Sequence, residues 1–371
     1  MLRSHRLAYL LTLAFLAAWA PGVFADSWVD EALNSDPFPG PAVAPSASPQ
    51  LADAQAAPVP SAADPAAAPA AAGEKPGATT EPATALPYVK GPPLPFHTIE
   101  GYGGGAITPI AYLVNPPAPG NIFGLPAGAF SYVNLGSKNL EAFTVTENIA
   151  GRVELGYGAD HFDFGTLRSD IQSATGININ HNDEWLHNFN VRVLALPEGS
   201  FNLPLPALTL GASLKYNDTI SSVYNTLGGR GGPLYAIGYR RDWGADFTQT
   251  FTKAFPHVFG RPLILSAGLR ESDAANLGFL GFTDTYKVGF EGNIVYLPTD
   301  WLLVAYEYRN KPRGFSADIP GLINQEQDWH AFDVSWLINK RATLVAGYGI
   351  FGNLANSKAN SAWWLQVKYE F

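Results

Sequence analysis

The nine residues 363–371, Trp-Trp-Leu-Gln-Val-Lys-Tyr-Glu-Phe, constrain the fold more than any other stretch. Trp363, Leu365, Val367, Tyr369 and Phe371 are apolar, and Gln366, Lys368 and Glu370 between them are polar. Successive side chains of an extended strand point to opposite faces, so this spacing gives one greasy face and one wet face. In a soluble sheet the greasy face needs a second protein layer to cover it. In an exported chain with many such strands, lipid covers it, and the segment reads as the closing strand of an outer-membrane barrel. The same five apolar residues are the expected assembly signal for the barrel-assembly machinery.

The alternation recurs back along the chain. Ala342, Leu344, Ala346, Tyr348 and Ile350 mark one strand, and Phe332, Val334, Trp336 and Ile338 another. Leu302, Val304, Tyr306 and Tyr308 alternate with polar residues, as do Leu263, Leu265, Ala267 and Leu269. Similar runs lie near residues 286–296, 244–253, 208–216, 189–195, 153–159, 140–148 and 128–135. Most have the roughly 9–11 residues that a tilted membrane strand needs. Short turns alternate with long connections (163–184, 218–243, 272–284, 312–327), which is how such barrels divide periplasmic turns from outer loops. The spacing predicts an all-β transmembrane antiparallel barrel of twelve strands. Fourteen is the alternative, if 107–114 and 234–239 also form strands. A soluble sandwich would require a covering layer that nothing in the sequence provides.

The region before the barrel differs in composition. Arg3 and Arg6 precede an apolar run over 7–20, and Val23 and Ala25 supply small residues for cleavage. A signal peptide over 1–25 is expected. Residues 26–95 are dominated by Pro and Ala, with few large apolar groups to bury, so a disordered periplasmic linker is expected. Such a linker would present the segment around Trp28 to a periplasmic partner or the cell wall. Later apolar stretches alternate and offer no run of about 20 residues for a spanning helix. Only 15% of residues are charged while 13% are aromatic, which suits a surface that partly meets hydrocarbon. The net charge of −9 gives no basic patch for nucleic acid, and the absence of cysteine removes thiolate chemistry and disulfides.

Residues 99–110, Ile-Glu-Gly-Tyr-Gly-Gly-Gly-Ala-Ile-Thr-Pro-Ile, open the folded part. Gly101, Gly103 and Ala106 fit G-x-G-x-x-A, but no strand–helix unit surrounds them, so a nucleotide site is not expected. Glycine permits close backbone approach, which places this stretch inside the barrel or at its periplasmic mouth.

By strand parity the inward face carries Arg152, Glu154, Arg192, Lys215, Arg270, Lys287, Glu291, Glu307, Arg309, Lys311, Asp333 and Lys368. These are the expected lumen-lining residues. Mixed charge there could line a hydrated path for small solutes, or pair across the interior and close it. Eight-stranded barrels are filled and those of 16 or more strands usually hold a channel, so twelve is compatible with both. A pore passing small solutes is the first expectation. A closed barrel anchoring the linker is the second, and an outer-membrane enzyme acting on lipid the third. His181, Asp183, Glu184 and His187 form an H-x-D-E-x-x-H run, read here as a polar loop binding no metal. No catalytic constellation is evident, and neither enzymatic activity nor a cofactor is expected.

Several short motifs occur in one order: Ile99-Glu-Gly-Tyr-Gly-Gly-Gly-Ala-Ile-Thr-Pro, Arg152-Val-Glu-Leu, Leu269-Arg, Leu277-Gly-Phe-Leu-Gly-Phe and Glu307-Tyr-Arg-Asn-Lys-Pro. Through them the chain resembles the proteobacterial domain-of-unknown-function family three thousand and thirty-four, over roughly 98–371. That family falls among outer-membrane barrels. The resemblance implies a fold and a compartment, and no catalytic residues.

Overall fold

The structure, a computed structural model, describes residues 97–118 and 120–371. The expected signal peptide and the Pro/Ala linker lie outside the described residues. Twelve strands close into one antiparallel barrel: β1 (Ala127–Asn134), β2 (Asn139–Ile149), β3 (Val153–Asp163), β4 (Asp183–Leu196), β5 (Ala207–Asn217), β6 (Trp243–Val258), β7 (Arg261–Ala274), β8 (Phe282–Tyr296), β9 (Leu302–Arg309), β10 (Trp329–Leu337), β11 (Ala342–Ile350) and β14 (Ala362–Glu370). The remaining two, β12 (Gly352–Leu354) and β13 (Ser357–Ala359), form a small hairpin within the last long connection. Each barrel strand pairs with its neighbours in sequence, and β1 pairs with β14 to complete the ring, Gly128 opposite Tyr369. Closure pairs both edges of all twelve barrel strands, so none of these is left to recruit another chain.

Polarity in the wall is inverted relative to a soluble protein. Along β14 the side chains of Trp364, Gln366 and Lys368 are buried, while Trp363, Leu365, Val367 and Tyr369 are exposed. Val367 is 51% exposed and its neighbour Lys368 only 1%. The same inversion holds on β10, where Phe332, Val334 and Trp336 face out and Asp333 and Ser335 face in. Exposed aromatics cluster near both strand ends, with Tyr216, Trp243, Tyr286, Tyr348 and Trp363 at one and Trp301, Trp336 and Tyr369 at the other. Amphipathic rings at two levels match the two interfaces of a bilayer.

The long connections all lie at one end of the barrel. They include three short helices, α1 (Leu167–Thr175), α2 (Ile220–Thr226) and α3 (Pro233–Ile237). The opposite end has tight turns, among them 150–152 and 259–260, and also carries the C-terminal residue, whose N–H donates to the Pro126 carbonyl. The fourteen-strand alternative is not adopted. Residues 234–239 contribute to α3, and 107–114 lie inside the ring, where the backbone turns back on itself and pairs with no barrel strand. Ile338 falls one residue past β10, because its N–H turns to the Ala342 carbonyl in the hairpin to β11.

Candidate functional site

The barrel interior is occupied by the chain's own Gly-rich segment. Every residue from 97 to 114 is buried. The segment is folded by short backbone bonds, such as Ile99 N–H to the Ala106 carbonyl and Gly105 N–H to the Thr108 carbonyl (3.0 and 2.8 Å). Gly101 sits at φ +85°, a conformation that side chains disfavour, and its backbone lies against the β3 wall at Tyr157 and Gly158. A methyl group on Gly156 would overlap the Gly101 carbonyl, and one on Gly158 would come within 2.9 Å of the Glu100 carbonyl. Gly156→Ala is therefore expected to cost about 1–3 kcal/mol through overpacking, read as a lower urea midpoint for the folded barrel.

Wall side chains satisfy the backbone of this plug. Glu307 on β9 accepts from the N–H groups of Ala106 (2.6 Å), Ile107 (3.2 Å) and Thr108 (2.8 Å), and from the Thr108 hydroxyl. Glu154 on β3 accepts from Gly103 (3.0 Å) and Val114 (2.6 Å) and pairs with Arg192 of β4 at 2.9 Å. Arg192 in turn donates to the Gly103 and Ile110 carbonyls. Asn190 donates to the Glu100 and Gly101 carbonyls, and Asn293 to the Pro109 carbonyl. The His97 ring lies 3.0 Å from both the Thr144 and the Thr146 hydroxyls.

Inside the ring the plug completes a charge cluster. Lys215, Arg270 and Arg309 come from the wall, as do Asp246 and Glu291; the remaining acid, Glu100, comes from the plug. Glu100 Oε1 lies 2.6 Å from Lys215 Nζ and 3.4 Å from Arg270, while Oε2 is 2.8 Å from Arg309 and accepts from the Tyr102 hydroxyl at 2.7 Å. Asp246 bridges Lys215 and Arg270 (2.8 and 2.9 Å), and Glu291 bridges Arg270 and Arg309 (3.0 and 3.2 Å). The wall set thus has one positive charge in excess, which Glu100 neutralises. A buried charge without a partner is costly, so this excess ties the plug to the wall.

Most of the expected inward residues lie around this arrangement. Glu154, Arg192, Lys215, Arg270, Glu291, Glu307, Arg309, Asp333 and Lys368 are all buried inside the ring. Lys368 meets Glu370 at 2.8 Å. Three residues sit nearer the rims. Arg152 belongs to the turn before β3, because the hairpin closes over 150–152, and reaches toward the Leu194 carbonyl. Lys287 donates to the Arg313 and Gly314 carbonyls at the loop end. Lys311 follows β9 and pairs with Glu326 at 2.9 Å, with its ammonium over the Trp329 ring.

Strand parity does not reveal Glu100, Tyr102 or Thr108 as members of this site, whereas Asp246 shares the inward register of Thr250 and Thr252. Glu100 carries one weak local signal, as the one acid in the Gly-rich segment. The H-x-D-E-x-x-H run does not converge. Glu184 turns inward, Asp183 meets His161 at 3.1 Å near the rim, and His187 faces out, bonded to the Tyr157 hydroxyl at 2.8 Å.

The sequence profile of a family described as "Protein of unknown function (DUF3034)" matches residues 95–368. No curated protein matches the sequence. Among solved structures, the chain is similar to the KdgM porin (10% identity, 66% of this chain and 99% of that one, TM-score 0.39). It is also similar to the NanC porin (8%, 66% and 98%, TM-score 0.40) and to the outer membrane protein Omp33 of Acinetobacter baumannii (10%, 67% and 97%, TM-score 0.32).

Proposed function

The chain belongs to the DUF3034 family of proteins of unknown function, and from that premise we propose that it is a plugged outer-membrane channel in its closed state. The observation that carries this reading is the match between plug and wall, in which Glu100 supplies the one acid that the wall cluster lacks. A permanent filler could be held by apolar packing at less desolvation cost than buried ion pairs. Ionic and hydrogen-bonded contacts suit a removable plug better. With the plug in place the charges of the Glu100 cluster are paired, and with it gone they line a hydrated path.

The experiment uses the absence of cysteine from the natural sequence. Thr108→Cys with Asn293→Cys places a thiol pair between plug and wall, at side chains that are hydrogen-bonded at 2.9 Å. Liposomes carrying the reduced pair should swell slowly in a small sugar, and oxidation should stop the swelling. Swelling that ignores oxidation would contradict a path through the plugged lumen. A second reading, a permanently sealed barrel that anchors the residues before 97, is favoured by the complete burial of 97–114. Its signature is no swelling in either state.

Membrane insertion is testable on the outer face. Val334, at the middle of β10, is 48% exposed between Phe332 and Trp336. Val334→Arg should cost about 2–4 kcal/mol in urea titrations of the protein in lipid vesicles, the range for a cation at the bilayer midplane. A cost near zero would mean that this face does not meet hydrocarbon.

A further inference from the structure

The loop end carries an apolar chamber that the plug reading does not use. α1, α2 and α3 converge there with the 310–328 connection around a cavity of about 120 Å³. Its walls include Ile171 of α1, Ile220 and Val223 of α2, Leu234 of α3, and Leu322 and Ile323 of the 310–328 connection. Ile171, Ile220, Leu234 and Ile323 are buried against one another around it, so the lining is preformed. An apolar cavity of about 150 Å³ stays dry and admits a molecule the size of benzene, so this one has room for a single small ring.

Of the polar side chains that border the cavity, only Glu184 is buried. Glu184, at the start of β4, is 2% exposed and borders the cavity. Its Oε1 has no hydrogen-bond partner among the described residues. A buried acceptor left unpaired costs free energy that a ligand's O–H can recover. We propose that the chamber binds a small, neutral, mainly apolar molecule carrying one hydroxyl donor, a phenol-sized ligand, with the hydroxyl on Glu184 and the ring among Ile171, Ile220 and Ile323. Burying an anion among these aliphatics is costly, so the ligand expected is neutral.

This inference goes beyond the channel reading and can fail separately, since its test reads the loops and not conductance. The full chain is refolded into lipid nanodiscs with ¹³C-labelled Ile, Leu and Val methyl groups and titrated with phenol, toluene and benzoate. Phenol should give saturable shifts at Ile171, Ile220 and Ile323, distinct from the linear, unsaturated shifts of lipid-facing methyls. Toluene should bind about tenfold more weakly, the order expected for one lost hydrogen bond to a buried acceptor, and benzoate should give no saturable shift. Val223→Phe and Leu322→Phe each fill the chamber from a half-buried position and should each weaken phenol at least tenfold, with folding checked by the unchanged strand-methyl spectrum. Three results would overturn the proposal: no saturable shift in the folded natural chain, equal affinity for toluene or benzoate, or unaltered phenol binding in both filled variants.

Discussion

Glu100→Gln is expected to destabilise the closed barrel by about 3–5 kcal/mol, the range for removing one partner from a buried ion pair. The substitution keeps shape and removes only charge. Lys215, Arg270 and Arg309 would then share Asp246 and Glu291, leaving one cation buried without compensation. A cation inside the ring can recover hydration only if water enters, so the plug should loosen along with the loss in stability. Urea titration in vesicles reads the energy, and amide exchange at 97–114 reads the plug. Adding Lys215→Met restores neutrality, and the double variant should recover at least half the loss. If the double variant were as unstable as the sum of the two single ones, charge balance would not be what holds Glu100 in place.

Glu307→Ala should cost about 2–4 kcal/mol, confined to the plug. It leaves the N–H groups of Ala106, Ile107 and Thr108 buried without their acceptor, and each unpaired buried donor costs on the order of 1–3 kcal/mol before relaxation. Strand pairing between β9 and β10 is backbone-to-backbone and should survive. Amide protection should therefore fall at 106–108 and persist along Leu302–Arg309. Equal loss in both places would mean that Glu307 supports the wall and not the plug. Glu307→Gln, which keeps one carbonyl acceptor, should fall between the natural chain and the alanine variant.

The wall was legible in the sequence because hydrocarbon imposes period two on every strand. Val367 and Lys368 are neighbours in sequence and lie on opposite sides of the barrel. That contrast can be read from residue type alone, and twelve such segments give the strand number that the closed ring has. The plug was legible only as a place, since glycine announces close backbone approach without saying what is approached. Glu100 and Glu307 are 207 positions apart, and neither carries a local signal that the two belong to one interior. The loop helices were hidden for a different reason. α2 and α3 are seven and five residues long, too short for a helical period to emerge, and they hold their shape through the apolar chamber that they share. Residues 107–114 show how the reading could mislead: Ile107, Ile110, Leu113 and Val114 are apolar enough for a strand, yet all are buried inside the ring, Ile107 in one core cluster and the other three in a second.

Single-channel recording in planar bilayers, comparing the natural chain with one lacking 97–114, tests the sealed interior most directly. The natural chain should be silent apart from rare, brief openings. The shortened chain should hold a steady ohmic conductance, because its charged wall would then face water. Steady conductance from the natural chain, or silence from a shortened chain whose barrel is folded, would contradict a lumen closed by its own N-terminal segment.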